Sequence, residues 1–455
     1  MSSKTIISLA VVGHTNTGKT SLLRTLTRDQ KFGEVSDRPS TTREVSAVSL
    51  LVDSVPVMTL FDTPGLEDPM GLMELLEADQ NPYEDPVARI DAFLATDHGA
   101  GSFEQEAKVL RQLRKSDAAL YVIDAREPML AKHREELRLL AECGRPLMPV
   151  LNFVASPESH PEQWREGLAR MGLHVLADFD TVVFEHEAER SLFAKLEILL
   201  DAHKPAIQSL ARFRDAQRAL LVEAACRTIA DMLIDVAGLR VRVEAEGDLS
   251  VQSQQIEEVV CKSEQTCVDD LLTLFQFDLG AFAPPELPLE QGQWALDPFD
   301  PEALKVFGVR TGSAIAAGAT AGVSVDAMLG GASLGAGALL GAGAGTFWSF
   351  YQSFGKRWVD ELRGYRELSV EEQTLALLSA RQIALLHALL RRGHASTSAV
   401  EAKASRGWVS KNLREAVMRA RAHPDWSALN SGDRGPRPDQ ALVPLMAALR
   451  TAING

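Results

Sequence analysis

Cysteine is scarce in this chain of 455 residues: Cys143, Cys226, Cys261 and Cys267 are all there is, and they form no C-x-x-C pair. That excludes a disulfide framework and a cysteine-built zinc site, and it fits reduced thiols in a cytoplasmic protein. Aromatic residues are few, at 6%, and bases are outnumbered, with 47 Lys and Arg against 62 Asp and Glu and a net charge of -15. Nucleic acid is gripped by clustered Lys and Arg that displace counterions, so this balance argues against binding it through bulk charge. A targeting peptide is not expected either, because the N-terminus runs directly into a strand pattern. What is present is an ordinary globular composition, 45% hydrophobic and 24% charged, at a length that implies about two or three domains.

Short apolar runs of strand length recur in the first part. They are TIISLAVV (5–12), a hairpin-like pair EVSAVSLLV (44–52) and VPVMTLF (55–61) turning at Asp53-Ser54, AALYVID (118–124), LMPVLN (147–152) and TVVF (181–184). Helical patterns separate them, which predicts an α/β unit with a mainly parallel sheet and helices on both faces, spanning 1–202. Residues 67–104 read as a long acidic, Pro- and Gly-rich insertion of the kind that forms a lid or mobile loop. From 203 to 455 the pattern becomes mostly α-helical, broken by an irregular Pro-rich linker at roughly 276–304.

The decisive string follows the first strand. Gly13, His14, Thr15, Asn16, Thr17, Gly18, Lys19 and Thr20 fit G-x-x-x-x-G-K-[ST], with Ser21 continuing into a helix. Glycines let the backbone wrap a polyphosphate and aim its N–H groups at the oxygens. Lys19 then reaches the β- and γ-phosphates, Thr20 coordinates Mg2+, and the helix N-terminus adds positive potential. Phe61-Asp62-Thr63-Pro64-Gly65 closes a later strand. There Asp62 is placed to hold Mg2+ through water and the Gly65 N–H to sense the γ-phosphate. Between the two lies Arg38-Pro-Ser-Thr-Thr-Arg43, where Thr42, with Thr41 as fallback, is the candidate to close onto the metal.

Taken in order, GHTNTGKTSLLRTLT, RPSTTREV and LFDTPGLED resemble the TrmE–Era–EngA–septin-like GTPases across about the first 200 residues. The whole chain is similar to a bacterial family that pairs such a domain with a C-terminal domain of unknown function, the 3482 family. The resemblance implies GTP and GDP as ligands, Mg2+ as cofactor and hydrolysis as the reaction. It also implies two roles for Asn16, binding a K+ beside the phosphates or ordering the loop. Leu66 follows Gly65 where relatives such as Ras carry a water-orienting glutamine, so slow turnover is expected; Glu67, Asp68 and the insertion are candidates to compensate.

The base-reading motif departs from the family. N-K-x-D becomes Asn152-Phe153-Val154-Ala155. Asn152 is kept, Phe153 is left to cover a face of the base, and the guanine-selecting carboxylate is missing, so ATP stays open beside GTP. The last base loop falls near Phe184-Glu185-His186 and carries no motif.

Residues 311–350 hold a glycine stripe: Gly318 and Gly322, Gly331 and Gly335, then Gly337, Gly341 and Gly345. Ala327 to Phe350 is free of charge, and Phe347, Trp348 and Lys356-Arg357 resemble an interfacial anchor. Two readings stand level, a packed soluble hairpin and membrane contact, peripheral or conditionally inserted at the inner membrane. The sequence therefore points to a slow regulatory GTPase whose helical part signals to a partner protein, a second copy or a membrane. The other-class alternative is a nucleotide-binding scaffold with little turnover.

Overall fold

The computed structural model describes residues 6–28, 44–78, 85–96, 101, 103–181, 186–244, 249–275, 277, 289–290, 293–299, 303, 323–325, 365–391, 408–431 and 438–454. The chain divides into two compact units, one chiefly Met1–Arg218 and the other chiefly Ala219–Leu389 with Ala399–Gly455.

The first unit is built on a six-stranded sheet: β1 (Ile7–Val12), β2 (Ser46–Val52), β3 (Val55–Asp62), β4 (Ala118–Asp124), β5 (Leu147–Asn152) and β6 (Ala177–Asp178), in the order β2-β3-β1-β4-β5-β6. Only β2 is antiparallel, joined to β3 through Asp53 and Ser54, both at positive φ as a tight hairpin turn demands. The central strands are apolar nearly throughout because both faces are covered. Ile7, Leu9 and Val11 point to one face, under α1 (Lys19–Thr27) and α7 (His186–Leu199). Ala10 and Val12 point to the other, under α5 (Ala131–Ala141) and α6 (Pro161–Arg170). Because β1, β3, β4, β5 and β6 run parallel, their C-terminal ends, and the loops that follow, lie on one edge.

Two expectations are corrected. The insertion at 67–104 is not a loop: it holds α2 (Pro69–Ala78) and α3 (Pro86–Ala95), and α4 (Glu104–Lys115) follows directly. Leu72, Met73, Leu76, Ile90 and Phe93 recur at helical spacing and are buried in the same core as β1 and β4. Their burial outweighs the acidic, Pro-rich look of the intervening residues, and Pro86 in fact starts α3 behind the Asp85 cap. The sixth strand is also displaced from 181–184 to Ala177–Asp178, paired with Val150 and Leu151. Thr181 turns to Asn152 instead, and 182–185 lie outside the described residues.

A helix of 35 residues, α8 (Lys204–Gly238), follows the sheet. The division between the units falls inside it, because Ile207 and Leu210 pack into the sheet's apolar core. The second unit is mostly helical, with α9 (Leu249–Leu274), Glu372–Arg391, Lys411–Arg421 and Asp439–Asn454. It also contains a small antiparallel sheet of Val323–Val325, Tyr365–Val370 and β7 (Val241–Glu244), which the helical reading did not anticipate. Arg381 is fully buried here and meets Glu264 at 3.1 Å; its guanidinium also donates to the Leu296 carbonyl at 2.8 Å. Within 311–350 the described Val323–Val325 is a strand, so the segment is not one continuous helix; the glycines of the stripe and the aromatic anchor lie outside the described residues. Among the described residues one helix, Glu372–Arg391, has the length and apolarity to cross a membrane, and 83% of its apolar window is buried in protein.

Candidate nucleotide site

The phosphate loop occupies the turn between β1 and α1. Gly13 (φ +143°) and Gly18 (φ +90°) take conformations that L side chains rarely adopt. A Cβ on Gly13 would lie 2.5 Å from the Val122 carbonyl oxygen, and one on Gly18 2.3 Å from Asn152 Nδ2. Thr17 Oγ1 donates to the His14 carbonyl at 3.1 Å and closes the loop, while Asn16 is exposed at its tip with φ 60°. Lys19 Nζ donates to the carbonyls of Gly13 at 3.1 Å and His14 at 2.6 Å, which holds the ammonium inside the loop. Burial lowers its pKa to about 8, against the opposing pull of Asp62 and Glu136.

Thr20 Oγ1 donates to Asp62 Oδ2 at 2.6 Å. β3 delivers that carboxylate in register with Val11, one strand from the loop. Desolvation raises the Asp62 pKa, opposed by the Thr20 hydrogen bond and the charges of Lys19 and Arg24. Its Oδ1 is buried with no hydrogen-bond partner among the described residues. A hydroxyl beside a carboxylate with an orphaned oxygen is a donor set of the kind a hard divalent cation takes, so Thr20 and Asp62 fit Mg2+. Thr42 and Thr41 lie outside the described residues.

The turn after Asp62 is fastened to the loop. Thr63 Oγ1 donates to the Val11 carbonyl at 2.8 Å, and His14 bridges Leu66 in parallel. Gly65 packs so closely that a Cβ there would meet Thr15 Cγ2 at 2.5 Å and the Thr15 nitrogen at 2.9 Å. Leu66 is buried in the core. Glu106 Oε1, from the first turn of α4, accepts from both Glu67 N and Asp68 N at 2.8 Å, and Asp68 Oδ1 accepts from Gly71 N at 2.8 Å. Asp68 therefore caps α2.

Sequence reasoning missed three buried groups here: Glu106, Glu136 and Tyr121. His14 Nδ1 lies 2.7 Å from Glu136 Oε1, and the Tyr121 hydroxyl donates to Glu136 Oε2 at 2.5 Å. The imidazole is thus held by α5 while the His14 backbone stays in the loop. A cavity of about 220 Å³ opens beside it, lined in part by Thr15, Asn16, Thr17, Asp124 and Trp164. A polar residue on a helix face opposite the phosphate loop was the one available signal, and it is indistinguishable in sequence from a solvated position.

The base end is organised by Asn152. Its Oδ1 accepts from Phe153 N at 2.9 Å, Thr181 N at 3.0 Å and Thr181 Oγ1 at 3.1 Å, and its Nδ2 donates to the Thr17 carbonyl at 3.0 Å. Asn152 thereby ties β5, the post-β6 turn and the phosphate loop together. Phe153 has φ 58° and carries the Arg126 guanidinium 4.0 Å from its ring centroid. Ala155 N donates to Asp180 Oδ2 at 3.1 Å. Phe184 and Glu185 lie outside the described residues, and His186 pairs with Asp215 at 2.7 Å.

Comparison with known proteins agrees with this arrangement. Residues 8–153 match the family described as 50S ribosome-binding GTPase, and residues 165–448, more than half of the chain, match the domain of unknown function DUF3482. The chain belongs to the DUF3482 family. Its residues 8–153 form a domain similar to P-loop GTPases, joined to that C-terminal region. The DUF3482 match begins inside α6, so it takes in the last strand of the sheet as well as the helical unit. The tRNA modification GTPase MnmE of Streptococcus pneumoniae is 28% identical over 153 residues, 34% of this chain and 26% of that protein. MnmE of Picosynechococcus sp. is 30% identical over 153 residues, 33% and 27% of the two chains. The chain spans about a quarter of the length of these relatives. Among solved structures, Aquifex aeolicus Era bound to GDP.AlF4- aligns over 42% of this chain and 56% of that one, at 18% identity and a TM-score of 0.31. The G domain of the T. maritima FeoB iron transporter aligns over 42% and 99%, at 17% identity and a TM-score of 0.24.

Proposed function

We propose that this protein binds Mg–GTP and hydrolyses it slowly as a regulatory switch, its helical region passing the nucleotide state to a protein partner, a second copy or a membrane. The observation that carries this reading is the convergence of Lys19, Thr20 and Asp62, with a buried carboxylate oxygen that has no partner among the described residues beside a hydroxyl donor. In this reading Lys19 and the amides of residues 13–21 bind the phosphates, and Thr20, Asp62 and Thr42 bind Mg2+. Gly65 donates its N–H to the γ-phosphate, Asn16 holds a K+ beside it, and Asn152 and Phe153 serve the base. The protein is cytoplasmic or peripheral at the inner membrane, with 311–350 as the contact.

The test is phosphate release from Mg–GTP by wild type and Lys19→Ala, in K+ and in Na+. Slow release that needs Lys19 supports the switch, and equal rates in both salts would remove K+ from it. The scaffold alternative is favoured by one observation: Leu66 is buried in the core, so the position after Gly65 presents nothing to orient a water. Tight binding with no turnover in either salt would decide for the scaffold. Flotation with liposomes, with and without GTP, tests the membrane output, and absence of flotation in both states removes it.

A further inference from the structure

At the base end, Ala155 stands at the motif position where the resemblance places the carboxylate that reads guanine, yet Phe153, two residues before it, is firmly placed. Phe153 leaves β5 in a left-handed conformation, φ 58°. Its Cζ lies 3.4 Å from where a Cβ on Gly18 would project, which puts the ring against the phosphate loop at the start of α1. The Arg126 guanidinium covers the ring at 4.0 Å. That guanidinium is itself fixed: Arg126 Nε donates to Asp124 Oδ1 at 2.9 Å and a terminal nitrogen donates to Asp124 Oδ2 at 2.6 Å. Such a bidentate pair holds the plane as well as the charge. A ring carrying a cation on one face is a polarised aromatic platform.

We propose that Phe153, backed by Arg126, binds the nucleobase by its face, so that this site accepts adenine as well as guanine. The inference rests on the phosphate-loop reading given above and names the ligand class of that same site. Stacking is tolerant of base identity because every base has a π-face. Discrimination comes from polar groups matched to a base edge, and a site without them loses most of it. Ala155 presents a methyl group where such a carboxylate would stand, and its N–H is bound to Asp180 Oδ2 at 3.1 Å, so that carboxylate holds the turn.

The experiment is calorimetric binding to the full chain with Mg2+, using GTP, ATP and inorganic tripolyphosphate, which has no base. Wild type is expected to bind GTP and ATP within about tenfold of each other, and both more tightly than tripolyphosphate. Phe153→Ala should weaken both purine nucleotides alike, relative to tripolyphosphate, by about tenfold to a hundredfold. Phe153→Trp should restore both, which a fold defect would not allow, and Arg126→Gln should weaken both by about two- to fivefold. The proposal is overturned by a wild-type preference for GTP over ATP of about a thousandfold or more, by a loss confined to one purine, or by no loss relative to tripolyphosphate. Failure of the underlying reading looks different: wild type would bind no tripolyphosphate, or Lys19→Ala would bind it equally well, and the stacking proposal would fall with it.

Discussion

Both units bury charge, but to different ends. In the first, the Lys19 ammonium bonds backbone carbonyls and the Asp62 carboxylate bonds a hydroxyl, so each is held by neutral groups, near opposite charges but in no direct ion pair among the described residues. In the second, Arg381 and Glu264 are buried and face each other, with Gln382 Nε2 adding a bond to Glu264 Oε1 at 3.3 Å. Charges held by neutral groups keep capacity for a ligand, whereas charges satisfied by one another imply a fastening between α9 and the helix Glu372–Arg391. Burial alone separates nothing; the partner does.

That contrast can be broken in order of effect. Arg381→Ala should cost about 3–5 kcal/mol of stability, read by denaturant unfolding, because it leaves Glu264 buried and unpaired; nucleotide affinity should not change. Lys19→Ala should do the reverse, lowering Mg–GTP affinity by about a hundredfold or more through loss of charge-assisted phosphate bonds, while unfolding shifts little. If Lys19→Ala unfolds the protein as Arg381→Ala does, the distinction is wrong.

Smaller effects sharpen it. Gly65→Ala forces a methyl onto the Thr15 backbone, and overpacking of that kind should cost about 1–3 kcal/mol in the first unit, with nucleotide binding reduced. The Glu264 carboxyl offers a pH test. Burial pushes it up to about 7 from 4.5, against the pull of Arg381. Between those values the folded state therefore binds more protons than the unfolded chain, and stability of the second unit should fall as pH rises from about 5 to 7, by on the order of 1–3 kcal/mol. A rise over that window would mean the pair titrates as an ordinary ion pair. Glu106→Gln keeps an acceptor oxygen and should cost under about 1 kcal/mol, whereas Glu106→Ala should speed hydrogen exchange at the Glu67 and Asp68 amides.

Much of the sheet was legible because its strands are short apolar runs punctuated by glycine and polar turns, as at Val12-Gly13 and Asp53-Ser54. The phosphate loop was legible because wrapping a polyphosphate needs glycine at Gly13 and Gly18, and that need leaves a string. The insertion was misread because its helices are separated by Pro and acidic residues, which hide the spacing of Leu72, Leu76, Ile90 and Phe93. The small sheet of the second unit pairs Val241–Glu244 with Tyr365–Val370, so distant in the chain that no local pattern announces it. Glu106 and Glu136 were invisible for a plainer reason: a glutamate on a helix looks the same whether it meets water or an amide.

The grip of Glu106 on Glu67 and Asp68 changes what trimming this protein would do. Excising 67–104 to obtain a minimal nucleotide-binding core would strip an apolar wall from the parallel sheet and wet Ala10, Val12 and Ala119. It would also delete the Glu67 and Asp68 amides by which Glu106 holds the chain just past the Asp-Thr-Pro-Gly turn. A shortened version engineered on the assumption of a dispensable flap should therefore precipitate rather than simply hydrolyse faster.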